Sequence, residues 1–127
     1  MAKPCKAILI DPHSQTVQSV EWNGHYQHIY KLIDCECYDV ARINKHGDGV
    51  FVDDEGLFKE EQAFFLVDGY PQPLAGKGLV LGVDTEGESV EPKVTLERIA
   101  DTIRWVLPIR VNGELTWLDH TGETHAF

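Results

Sequence analysis

Apolar residues along this chain follow two spacings, one suited to strands and one to helices. Lys6 to Ile10 is a short apolar run, KAILI, closed by Asp11-Pro12-His13-Ser14, and Thr16 to Trp22 reads TVQSVEW with Val17 and Val20 as its apolar members. Together they predict an opening hairpin. Asn23-Gly24 then breaks the strand, and Tyr26, Ile29, Tyr30 and Ile33 fall at i, i+3, i+4 and i+7. That is one helical stripe, so a helix is expected over Gly24 to Asp34. Cys37 to Ile43 alternates as a strand, Lys45-His46-Gly47-Asp48-Gly49 supplies a turn, and Val50-Phe51-Val52 returns as the second arm of another hairpin. Asp53-Asp54-Glu55-Gly56 is a polar turn, Leu57 to Glu61 favours neither element, and the phenylalanine-rich Ala63 to Val67 is expected to be a buried strand.

The stretch GYPQPLAGKGLVLG, Gly69 to Gly82, holds two prolines and an unusual density of glycine. Gly69-Tyr70-Pro71 predicts a turn, Pro73 an extended segment, and Gly76-Lys77-Gly78 a sharp bend before a strand over Leu79 to Val83. Farther on, Thr95 is a suitable N-cap with Glu97 in the first turn, where its charge suits the helix dipole. Leu96, Ile99, Ala100, Ile103, Val106 and Leu107 keep helical spacing, and Pro108 ends the run, so a helix is expected from Leu96 to Leu107. Asn112-Gly113 between Ile109-Arg110-Val111 and Glu114 to Trp117 predicts a C-terminal hairpin with a type I′ turn. A last turn at Asp119 to Gly122 would let the tail pair back. Strands interrupted by two amphipathic helices, without regular βα alternation, define an α+β domain with the helices packed on a mostly antiparallel sheet.

Size adds that one domain suffices, because 127 residues with 43% hydrophobic content can enclose a single core. No apolar run approaches the roughly 20 residues that cross a bilayer, and the first residues lack a secretory pattern, so a soluble, cytoplasmic protein is expected. Cys5, Cys35 and Cys37 are read as reduced thiols, since a pair separated by one residue is a poor bridge.

Charge changes the picture more. The formal net charge is -10, and it divides as 0 over residues 1 to 47, -9 over 48 to 91 and -1 over 92 to 127. A field of one sign repels free nucleic acid and attracts basic protein surfaces. The candidate partner-binding residues are therefore Asp53, Asp54, Glu55, Glu60, Glu61, Asp84, Glu86, Glu88 and Glu91, provided that they gather on one face, where they could imitate a row of phosphates.

The blocks KAILIDP, HIYKLIDCECYDVARIN, FVDDEGL and PLAGKGLVLG, in this order, resemble a family of small proteins known only as a domain of unknown function, number 3846. The likeness runs from about residue 6 to residue 106 and leaves out the segment from Ile109 onward. It carries over no catalytic or binding residue. It implies a genetic setting in bacteriophages, plasmids and bacterial genomes, hence a small accessory protein of a mobile element, a class that often counters host defences.

Other chemistry is thinner. Gly76-Lys77-Gly78 is either a tight turn or a backbone nest for the phosphate of a nucleotide signal, with Tyr70 nearby as a stacking partner. It is not a Walker loop, because Gly78 and a strand follow the lysine. His25, His28, Cys35 and Cys37 offer four zinc ligands at a spacing unlike the common structural sites, and Asp53-Asp54-Glu55 lacks the alternation of a calcium loop. No nucleophile carries a recognisable base signature. The expectation is a non-enzymatic protein without cofactor that inhibits a basic host factor; the alternative is sequestration of a nucleotide-type small molecule.

Overall fold

The computed structural model describes residues 3–56 and 62–126. Its centre is the strand that follows the glycine-rich bend, β7 (Gly78–Val83). On one side β7 pairs with β1 (Cys5–Asp11), which pairs outward with β2 (Thr16–Trp22). On the other it pairs with β4 (Gly49–Asp53), which pairs with β3 (Tyr38–Arg42). The sheet order is β2-β1-β7-β4-β3, every pair is antiparallel, and the short β8 (Ser89–Val90) folds back on the end of β7. A second antiparallel sheet runs β11-β10-β9-β5-β6, from β5 (Phe64–Leu66) and β6 (Leu74–Ala75) to β9 (Arg104–Val111), β10 (Glu114–Asp119) and β11 (Thr124–His125).

The larger sheet is covered on both faces, which explains why KAILI and LVLG read as unbroken apolar runs. Ile8, Ile10, Val50, Val52 and Val80 belong to one core cluster, with Phe65 of β5 and Ile99 and Ile103 from the α2 region. Ala7, Leu9, Phe51, Leu79 and Leu81, their neighbours in sequence, belong to another with Trp22, Ile29 and Ile33. Alternate residues of a strand point to opposite faces, so each strand serves both clusters. Helix α1 (Tyr26–Ile33) closes the second face, and helix α2 (Leu96–Thr102) with β5 closes the first.

Two glycines are dictated by packing. A Cβ on Gly78 would stand 2.7 Å from Val50 Cγ1 and 2.9 Å from Phe65 Cζ, so only glycine lets β5 settle on β7. Gly69 has φ 98°, and a Cβ there would collide with the carbonyl of Ile43. Buried Asp48 fixes the approach to α2: its carboxylate accepts the N–H groups of Lys93 and Val94 at 2.9 and 2.8 Å and an Asn44 amide N–H at 2.9 Å.

Several expectations need correction. Helix α2 ends at Thr102, Ile103 is already extended at ψ 144°, and Arg104 to Val111 form a strand rather than a continued helix. The segment IRWVLPIRV is rich in β-branched and aromatic residues, and pairing with β5 and β10 outweighs the helical spacing of Val106 and Leu107. Pro108 does not stop a helix; it sits in β9 beyond the reach of β5, which pairs only with Arg104 to Val106. There its missing N–H is harmless. On α1, Ile29 and Ile33 are buried, but Tyr26 is 56% exposed. Asn112 and Gly113 have φ 53° and 83° at the β9–β10 turn. Among the described residues no helix is long and apolar enough to cross a membrane.

Candidate functional site

The antiparallel register separates the carboxylates that were candidates for one surface. Val52 pairs with Gly78 and Gly49 with Leu81, so Asp53 lies near the start of β7, whereas Asp84 follows its last residue. At about 3.3 Å per residue the two ends are roughly 20 Å apart. Asp53, Asp54 and Glu55 therefore form a group of their own, and Asp53 is buried with Oδ1 accepting the Glu55 N–H at 3.0 Å. They lie toward the opposite end of β7 from Asp84, Glu86 and Glu88. Glu60 and Glu61 lie outside the described residues.

Asp84 to Glu88 form the tip of the β7–β8 hairpin. Asp84 donates its N–H to the Glu88 carbonyl at 2.9 Å, and its Oδ1 accepts the N–H groups of Glu86 and Glu88, each at 2.9 Å. This carboxylate shapes the loop. Glu86, Glu88 and Glu91 are exposed and have no ion-pair partner among the described residues. Glu86 and Glu88 stand on this short, braced tip, whereas Glu91 follows β8 and lies beside Lys6 of β1.

The glycine-rich bend is occupied by the fold. Gly76 has φ 77° and donates its N–H to the Ala63 carbonyl at 2.8 Å, while Gly78 is already in β7. Lys77 Nζ lies 2.6 Å from Asp34 Oδ2, at the C-cap of α1. The hydrogen bond to Asp34 holds the Lys77 ammonium above the usual lysine range, despite partial burial that opposes it. Tyr70 packs against the core and donates its N–H to the Val67 carbonyl. Tyr70, Gly76, Lys77 and Gly78 thus tie α1, β5 and β7 together, and the N–H groups of Gly76 and Tyr70 are already donated within the fold.

The His and Cys residues singled out as metal ligands do not come together either. His28 Nδ1 accepts the Asn23 N–H at 3.0 Å, and the thiol of Cys5 is pushed up by burial first, then by Glu91 and Glu21. The ligand-type groups that do converge among the described residues are Asp119, Glu123 and His125, with one atom from each within 4.8 Å of the others. Spacing rules built on Cys and His overlooked them. Asp119 is buried, and its oxygens accept N–H groups of Thr121 and Glu123, the Thr121 hydroxyl and a hydrogen bond with His125 Nε2 at 2.7 Å. Burial pushes its carboxyl upward, but the bonds from His125, Thr121 and Glu123 prevail and hold it well below the usual carboxylate range. This turn staples β11 to β10.

A folded-state pKa below the unfolded value gives stability that is present above about pH 4 and drains away as pH falls through the folded value. Asp119→Asn should therefore lower the melting temperature at pH 5. The gap from the native protein should narrow below pH 4. A gap that does not change between pH 5 and pH 3 would show that the ionised carboxylate is not what holds the turn.

A feature not anticipated from the sequence adjoins the acidic hairpin. A cavity of about 380 Å³ is lined by Trp22, Tyr26, Tyr38, Phe51 and the hairpin residues Gly87, Glu88 and Ser89. Its aromatic rings come from β2, α1, β3 and β4, brought together because α1 crosses the sheet near Phe51. Tyr26, Tyr30, Tyr38 and Phe51 form a chain of ring contacts with centroids 6.0, 5.3 and 5.0 Å apart. The Trp22 indole N–H is donated to the His25 carbonyl at 2.9 Å. The only sequence clue was Tyr26 and Tyr30, one helical turn apart on a stripe read as core.

Fold and site define a small, mostly antiparallel α+β protein whose accessible chemistry is a braced acidic hairpin beside an aromatic cavity. The chain belongs to the family described as a domain of unknown function (DUF3846), whose sequence profile matches residues 5–104. It is also similar to the uncharacterized protein y4iR of Sinorhizobium fredii (strain NBRC 101917 / NGR234), at 29% identity over 106 residues, which are 81% of this chain and 65% of that protein. The chain thus spans less than two thirds of this relative's length. No solved structure matches it.

Proposed function

We propose that this protein is a non-enzymatic binding protein that engages a basic protein surface through Glu86 and Glu88 of the β7–β8 hairpin and Glu91 just beyond it. The observation that carries this reading is that these three exposed carboxylates lack ion-pair partners among the described residues, while the Asp84 carboxylate rigidifies the loop that bears Glu86 and Glu88. A preorganised charged loop loses little conformational entropy on binding and speeds encounter with a partner of opposite charge. As an accessory protein of a mobile element it would act by occupying the basic surface of a host factor. The group Asp53, Asp54 and Glu55, at the other end of the sheet, has no part in this contact.

Binding to a lysine- and arginine-rich peptide, followed by fluorescence anisotropy at low and moderate salt, tests the proposal. Exposed ion pairs contribute about 0.2 to 1 kcal/mol each, so Glu86, Glu88 and Glu91 all changed to lysine should weaken binding about tenfold or more. Raising the salt should act in the same direction. Equal affinity of the triple variant and the native protein would overturn the reading.

A further inference from the structure

We propose that the aromatic cavity beside the hairpin is a seat for an arginine side chain of the basic partner, an inference that rests on the acidic-hairpin reading and specifies it. Among the described residues no lysine or arginine lines the cavity, His25 is its one imidazole, and Glu88 is its single acidic group. A volume of about 380 Å³ lies at the small end of ligand pockets, which suits one extended side chain better than a large cofactor.

The walls favour a planar cation. Trp22 and Phe51 are buried beneath the cavity, and Tyr26 stands exposed at its mouth. The indole N–H of Trp22 is already donated to His25, so Trp22 floors the cavity and the exposed ring of Tyr26 is the face open to a guest. Ring faces attract cations, and a guanidinium both stacks on them and donates in parallel to a carboxylate. Glu88, exposed and among the lining residues, is the carboxylate that would accept such a fork. A lysine ammonium, more strongly hydrated and not planar, gains less from the same walls. The hairpin charges would bring the partner in, and the cavity would select one residue of it.

Two peptides of equal length and charge, one carrying arginines and the other only lysines, separate this inference from the reading beneath it. The native protein should bind the arginine peptide roughly tenfold more tightly, and Tyr26→Ala should abolish that preference while keeping the affinity for the lysine peptide. Tyr26 is exposed, so its removal leaves the core intact, and Tyr26→Phe should retain the preference because the ring is what acts. In the native protein the Trp22 indole N–H resonance should shift on titration with the arginine peptide. Equal binding of both peptides, unaffected by Tyr26→Ala but weakened by the changes at Glu86 and Glu91, would overturn the arginine seat and leave the acidic hairpin standing. Affinity insensitive to those charge changes would overturn both.

Discussion

Replacing Asp48 with alanine should lower the melting temperature by about 10 to 15 °C. The side chain is fully buried and its two oxygens accept three N–H groups, two of them from the backbone of Lys93 and Val94. Alanine would leave those part-buried donors without partners. Each orphaned donor costs about 1 to 3 kcal/mol, and bonds to a charged acceptor are the stronger kind, so a loss of about 4 kcal/mol is expected. For a domain of this size each kcal/mol is worth about 3 to 4 °C. Asp48→Asn should fall between, because an amide keeps one acceptor oxygen but turns an N–H toward groups that are themselves donors. Calorimetry of the three proteins checks this. A shift under about 3 °C for the alanine variant would show that the segment entering α2 is held by other means.

Gly69→Ala should be of comparable severity, at about 3 to 5 kcal/mol, and should show as a sharp drop in melting temperature or soluble yield. Two costs combine here. A φ of 98° is strained for any residue with a Cβ, and that Cβ would overlap the Ile43 carbonyl, which cannot swing away as a flexible side chain can. Gly87→Ala provides the control: it has a similar φ of 84° but nothing within 4 Å of the added atom. Only the conformational cost, about 1 kcal/mol, should remain there. If the two variants melt together, contact with Ile43 is not what reserves position 69 for glycine.

The central strand was legible in the sequence because its glycines and apolar run answer to local rules. Gly78 must be small beneath Phe65, and Leu79 to Leu81 are buried on both faces, so composition and place coincide. The boundary between α2 and β9 was not legible. Ile99, Val106 and Leu107 share a helical spacing whether or not the backbone between them is helical, and only pairing with β5 and β10 decides. The site was hidden for a related reason. Whether carboxylates at 53 and 84 are neighbours depends on strand register, which follows from Val52 meeting Gly78 across a long connection that itself holds β5 and β6. The aromatic cavity needed residues from four elements, each reading locally as ordinary core.

The position of β7 also bears on how the chain acquires its shape. β1 and β4 each complete a hairpin with a sequence neighbour, yet their inner edges meet nothing until the strand beginning at Gly78 slides between them. Ile8 must wait for Val80. Closing such distant contacts is entropically slow, so collapse is delayed until the middle of the sheet arrives. On the ribosome, the first two hairpins would emerge with open backbone edges that invite mispairing, and the insertion of this one late strand would seal both at once.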